Sequence, residues 1–399
     1  MASGDKIAKA VQKKINDKKF MNEVYKKAAA TPYGETESVM EILGTELAYQ
    51  IATRGKVKGN EGIKESIYEL YPTITKNLTK EQQKKNILED GFVTHSFNGG
   101  NLKSVKKNGL GSEKNFDEQV AKDMSILETY LGSSEYLKNQ QNDSSELYYT
   151  SPGVKSIYYA AAQSPERLYL GPLKQDRNSA LPVQIGESKK DYMMRVVKSK
   201  IADKGYTEEQ AKEILQSAER VLTKFCTKRP VMALIPIKSK DYELQATHAS
   251  FKNEAGGKLT TMIDETMKSD PIDFFSKNTH TAEINNFGNM VTKTKIPARN
   301  LSFVEVPDLF EMNQEIAKAR GMKKGDKMDY FTGKPYKEPV VKESSVTTVP
   351  PADIEVEKQK SPELFPPKKA EQQVDKQKNK TQPAQENQNE SEQQVQLWY

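Results

Sequence analysis

The chain has a single cysteine, Cys226, in 399 residues. One thiol excludes an internal disulfide framework and any cysteine-based zinc cluster. Histidine is equally sparse: His95, His248 and His280 lie far apart without ligand spacing, so no metal site built by the protein is expected. No apolar run approaches the roughly 18 residues that would span a bilayer. The opening MASGDKIAKAVQKK has no apolar core of a secretory signal, so none is expected there. Hydrophobic residues make up only 35%, against the usual ~45–50%. Part of the chain is therefore expected to stay outside any packed core. Charge of one sign is also lacking. Lys+Arg 61 against Asp+Glu 55 gives +6, and this interleaved balance does not point to nucleic acid as the partner. At roughly 150 residues per domain the length suggests two or three units.

Four regions follow from texture. Residues 1–86 read as a helical N-terminal region. Ile7, Val11 and Ile15 form one apolar stripe flanked by Lys6, Lys9, Lys13, Lys14, Lys18 and Lys19. Such a stripe either packs on its own domain or lies on an anionic membrane or nucleic acid. A second helix is expected over Val39–Ile51, and the capping box Thr79–Gln82 starts another that runs to about Glu89. Residues 87–310 alternate short strand-like runs (FVTHSF, ELYYT, PVMALIPI, MVTKTKIP, LSFVEV) with helical stretches at Asp117–Leu131, Val154–Gln163, Tyr192–Ala202 and Glu208–Phe225. Together these make an α+β domain. Residues 311–336 read as a connecting helix and loop. Residues 337–399 are rich in Pro, Gln, Glu and Lys without apolar periodicity, the composition of a disordered tail. Its apolar tip, Leu397-Trp398-Tyr399, is either incidental or a docking or export signal.

Two windows carry candidate chemistry. In THSFNGGNLKSVKKNGL, His95 ends a short strand before a Gly-rich loop and a helical turn. In ELYYTSPGVKSIYYAAAQ, Tyr148 and Tyr149 end a strand, a Pro-Gly turn follows, and Ser156, Tyr158 and Tyr159 lie on a helix. A strand-end histidine with aromatics across a turn suits a flat, polar ligand such as a nicotinamide nucleotide. The same features also occur as plain structure.

Spacing narrows the choice. His95, Asn101, Val105, Gly109 and Leu110 fall in one gapless register, and Tyr148, Tyr149, Lys155, Ser156 and Tyr159 in a second. Both resemble the catalytic domain of diphtheria-toxin and poly(ADP-ribose) polymerase type ADP-ribosyltransferases, which carry a His-Tyr-Glu signature. The resemblance covers roughly Ile87 to Phe310. It implies a split mixed β-sheet core with helices, NAD as co-substrate and no metal. It implies further that His95 bonds the adenine-side ribose, that the Ser96 backbone holds the nicotinamide amide, and that Ser156 donates its hydroxyl to the same amide. Tyr159 would stack on the nicotinamide ring, with Tyr148 closing the other side and Tyr149 and Lys155 completing the motif.

The third family element departs. Counting back ten from Asn300-Leu301, where the family has its catalytic Glu, lands on Met290, with Asn289 before it. An electrostatic group aimed at developing charge is typically worth about 10²–10³ in rate. The nearest substitute is Glu283, seven residues earlier. The candidate catalytic set is therefore Glu283, His95 and Tyr159. The stretch Gly111–Leu147 is longer than the family's usual link and would either gate the NAD mouth or pack. The resemblance implies a mono-ADP-ribosyltransferase with a protein acceptor. The alternatives are a non-catalytic NAD- or partner-binding module and a related-fold RNA 2′-phosphotransferase. The expected location is the cytoplasm. Because the polar tail is similar to those of bacterial effectors, delivery into a host cell without a secretory signal, with a host protein as acceptor, is the competing expectation.

Overall fold

The computed structural model describes residues 3–32, 35–55, 75–79, 81–82, 91–111, 118–132, 147–150, 152–163, 180–246, 290–292 and 294–337. Three helices come first: α1 (Ser3–Ile15), α2 (Lys18–Ala30) and α3 (Glu35–Ala52). β1 (Phe92–Phe97) is followed by a short 3-10 turn (Gly99–Asn101), α4 (Leu102–Asn108) and α5 (Glu118–Leu131). Next come β2 (Leu147–Tyr149), α6 (Val154–Ala161), β3 (Val183–Gln184), α7 (Lys189–Lys204) and α8 (Glu208–Cys226). The remaining described elements are β4 (Val231–Pro236), β5 (Gln245–Ala246), β6 (Met290–Thr292), β7 (Ser302–Glu305), α9 (Leu309–Ala319) and β8 (Lys327–Met328).

The mixture of helix and strand is the expected α+β class, and each of the five strand-like runs carries a strand. The strand pairing differs from expectation. Every pairing between described strands is antiparallel, where a mixed sheet was expected. The strands form two three-stranded sheets, in the orders β1-β4-β7 and β2-β6-β5, and a two-stranded ribbon β3-β8. Thr94 of β1 and Thr150, just past β2, exchange both backbone bonds at 2.8 and 2.9 Å and so join the two larger sheets.

Local signals explain most boundaries. The Thr207 hydroxyl accepts from Gln210 N while the Gln210 amide oxygen accepts from Thr207 N, opening α8 as the capping box requires. The same reciprocal pair forms between Thr79 and Gln82, but the rest of that helix lies outside the described residues. Helix α7 is longer than its apolar pattern suggested, because Ser188 caps it and Gly205 ends it in the left-handed region. Helix α2 is a correction to the sequence reading. Lys18 and Lys19 were read as flanks of the first helix, yet the Asp17 carboxylate accepts from the Lys19 and Phe20 N–H groups and starts a new one.

The N-terminal helices share a core with the sheet. Ile7, Val11 and Ile15 are 0–3% exposed and pack in one cluster with Val24, Leu43, Phe92, Met232, Leu234 and Val304. The lysine-flanked stripe is thus buried in the core and is not itself exposed to a membrane or nucleic acid. Residues 1–86 and 87–310, drawn as separate regions, contribute to one body. A second cluster joins α5, α7 and α8 around Leu127, Tyr192, Val221 and Phe225. The fully buried Asp123 carboxylate accepts two bonds from Arg220, at 2.6 and 2.8 Å, and ties α5 to α8. Helix α5 therefore packs on α8, while most of the rest of the 111–147 stretch lies outside the described residues. Helix α9, expected as a connector, places Met312 and Ile316 in the first cluster and Phe310 and Ala317 in the second. The expected disordered tail and its Trp398 tip lie outside the described residues.

Candidate active site

Strand pairing brings the motif positions together. One residue along from the Thr94–Thr150 bridge, half-buried His95 meets Tyr149, ring centroids 5.7 Å apart in an edge-on arrangement. Tyr149 in turn is the register partner of Met290 on β6. His95, Tyr149 and Met290, drawn from segments nearly 200 residues apart, form one row across three adjacent strands. Tyr148 stands beside this row, paired by its backbone with Val291. The Tyr149 side chain is 1% exposed, and its hydroxyl has no hydrogen-bond partner among the described residues. Burial, and then the neighbouring Tyr242 phenol, push its pKa above the ordinary tyrosine range.

The loop after β1 is held by a residue the motif did not nominate. Asn98 is buried; its amide donates to Phe225 O at 3.0 Å, and its carbonyl accepts from Gly100 N at 2.9 Å. Gly99 and Gly100 press against the end of α8. A Cβ on them would sit 2.0 Å from Arg229 O and 2.3 Å from Lys224 O. These glycines are required by packing against backbone and need no ligand to explain them. Asn98 followed by Gly-Gly is itself the signal: an Asx-type cap on a turn too crowded for side chains.

Helix α6 supplies the second motif. The Ser156 hydroxyl accepts from Gly153 N at 3.1 Å and donates to Gly153 O at 2.7 Å, capping the helix. Donation to a nicotinamide amide therefore requires that hydroxyl to rotate off the Gly153 carbonyl. The Ser96 hydroxyl makes a long 3.5 Å contact to Ser156 O, so the two motifs touch. Lys155 is 2% exposed, and burial lowers its pKa to about 8. Tyr159 is half-buried and meets Tyr158 edge-on at 5.7 Å, while Tyr158 leans on the first core. Helix α6 thus presents Tyr159 beside a buried, structural Ser156.

The third element is present in part. The Asn300 amide donates to Asp241 at 2.7 Å and to Ser239 at 3.2 Å, with Arg299 pairing the same Asp241, so Asn300-Leu301 pins a loop before β7. Met290 occupies β6, and no carboxylate stands at that register position. Glu283 and Asn289 lie outside the described residues. No group of three or more His, Cys, Asp or Glu that could hold a metal ion occurs among the described residues, and no described helix is long and apolar enough to cross a membrane. No family model, curated protein or solved structure matches the chain.

Proposed function

We propose that the chain is an NAD-dependent mono-ADP-ribosyltransferase of the His-Tyr-Glu type, transferring ADP-ribose from NAD to a protein acceptor with release of nicotinamide. The observation that carries this reading is the row His95–Tyr149–Met290 across β1, β2 and β6. The motif counts picked out these segments independently, and the strand pairing sets them side by side. In this role His95 holds the ribose, Tyr159 offers a π-face to the cationic pyridinium, worth about 1–2 kcal/mol when desolvated, and Ser156 reaches the amide by rotating its hydroxyl. The glycosidic C–N bond breaks as the acceptor nucleophile attacks, and a carboxylate is needed to steady the charge that develops on the ribose. Glu283 is the residue proposed for it.

Met290 favours a second reading, because a thioether can neither stabilise an oxocarbenium ion nor accept a proton. In that reading the domain binds NAD or a partner without turnover. Incubation with NAD labelled on its adenine side, together with a cell lysate, separates the two. Label on protein supports transfer. An NAD-dependent rise in melting temperature without transferred label supports the binding module. The absence of both at millimolar NAD overturns the nucleotide site itself.

A further inference from the structure

The net charge of the chain is small because acidic and basic residues alternate along most of it, but some segments break that pattern, and three of them are rich in lysine. Residues 91–111, 221–240 and 290–304 contain no Asp or Glu at all. The fold brings these three together. Asn98 bonds Phe225 O, Gly99 and Gly100 lie on the end of α8 at Lys224 and Lys228, and Leu110 pairs with Ile296. Lys106 sits over the Phe303 ring at 5.7 Å, and Lys295 is within van der Waals distance of the space beside Gly111. The α4 turn thus stands between the end of α8 on one side and the segment leading to β7 on the other.

Among the described residues, the lysines on this surface have no acidic partner. Lys103, Lys106, Lys107, Lys228 and Lys295 are exposed, and Lys224 is half-buried over the Phe225 ring. None of the six has an ion pair among the described residues. The arginines in or next to these segments are neutralised: Arg229 by Glu311, Arg299 by Asp241 and Arg220 by Asp123. Six unneutralised ammonium groups on one face repel one another, and that repulsion is relieved by a ligand with regularly spaced negative charge. Lysine rather than arginine in all six places suits point contacts with phosphates more than bidentate capture of carboxylates.

We infer that the face built from α4, the end of α8 and the 294–296 segment binds the phosphate backbone of a single-stranded nucleic acid. Helix α4 begins six residues beyond Ser96, so a bound strand would run beside the candidate active site. The inference goes beyond the transferase reading and does not depend on it, because backbone binding requires no NAD.

The test is fluorescence anisotropy of the full chain with a labelled 20-nucleotide single strand over a range of salt, without NAD. Wild type is expected to bind with a salt dependence of several phosphate contacts. Lys103→Ala/Lys106→Ala/Lys107→Ala should weaken binding at least ~10-fold and lower the salt slope by about 2, with the melting temperature unchanged. Lys224→Ala/Lys228→Ala, from a different segment, should weaken binding as well. The control Lys122→Ala/Lys198→Ala/Lys212→Ala removes equal charge from exposed positions on α5, α7 and α8 and should leave affinity within about twofold at moderate salt. Equal loss in the control overturns the inference in favour of net charge alone. So does equal or tighter binding of a poly-glutamate peptide, which would make the face a site for acidic protein. No binding of the oligonucleotide at low salt also overturns it, and none of these outcomes touches the NAD reading.

Discussion

Lys155 is an ammonium held at 2% exposure on the helix that also carries Ser156 and Tyr159. Burial lowers its pKa from 10.5 to about 8. Below pH 8 the folded and unfolded chains both carry the proton, and the folded state bears the full penalty of burying the charge. Between about 8 and 10.5 the unfolded chain holds more protons, so stability rises with pH. Urea unfolding at pH 7 and pH 10 should show a gain for wild type relative to Lys155→Met, on the order of 3 kcal/mol if the shift is fully expressed. A difference that stays flat with pH would show that Lys155 reaches solvent. Two ligand predictions belong at the same scale. NAD should raise the melting temperature by mass action, and Tyr159→Ala should abolish the rise. His95→Ala should weaken NAD binding by about 1–3 kcal/mol with little change in melting temperature. An unfolded His95→Ala variant would recast the histidine as part of the Tyr149 packing.

Between elements, the placement of α6 depends on a close approach by α3. A Cβ on Gly44 would lie 2.4 Å from Val154 N and 2.7 Å from Gly153 C, so backbone meets backbone. Gly44→Ala must push α6 away, and overpacking of this kind costs about 1–3 kcal/mol. It should lower the melting temperature and reduce the NAD response more than its stability loss alone predicts, because Tyr159 moves with the helix. Thermal melts with and without NAD measure both. The elements themselves were largely legible in sequence. Thr207 with Gln210 marks a helix start through two reciprocal bonds, and FVTHSF and PVMALIPI are apolar enough to demand burial. Helix α2 was not read because its cap, Asp17, is followed by two lysines that resemble the charged flank of the preceding helix. Within the candidate site, spacing nominated His95, Tyr149 and Tyr159. The commitment of Ser156 to its own helix cap was not readable, since one hydroxyl at that spacing serves either a cap or a ligand. Asn98 was missed because its partner, Phe225 O, lies far along the chain and leaves no local trace.

For the molecule as a whole, an apolar stripe tells that a helix is buried but not against what. Ile7, Val11 and Ile15 pack on Phe92, Met232, Leu234 and Val304, so the sheet's core is incomplete without α1. A chain beginning at residue 87, the boundary drawn from texture, should therefore fail to melt cooperatively. Val11→Asp in the full chain should destabilise by several kcal/mol, because it buries an unpaired charge. Circular dichroism melts of both check this, and a well-folded 87–337 fragment would separate the two regions after all. The junction at Thr94 and Thr150 has a consequence of a mechanical kind. Two three-stranded sheets meet there through a reciprocal pair of amide bonds, with the Thr94 hydroxyl adding a third contact to Thr150 O at 3.2 Å. Such a seam is a hinge pin. The amide protons of Thr94 and Thr150 should exchange with deuterium as a pair, faster than those deep in β4, and the rate of that exchange clocks how often the sheets part at the row holding His95 and Tyr149.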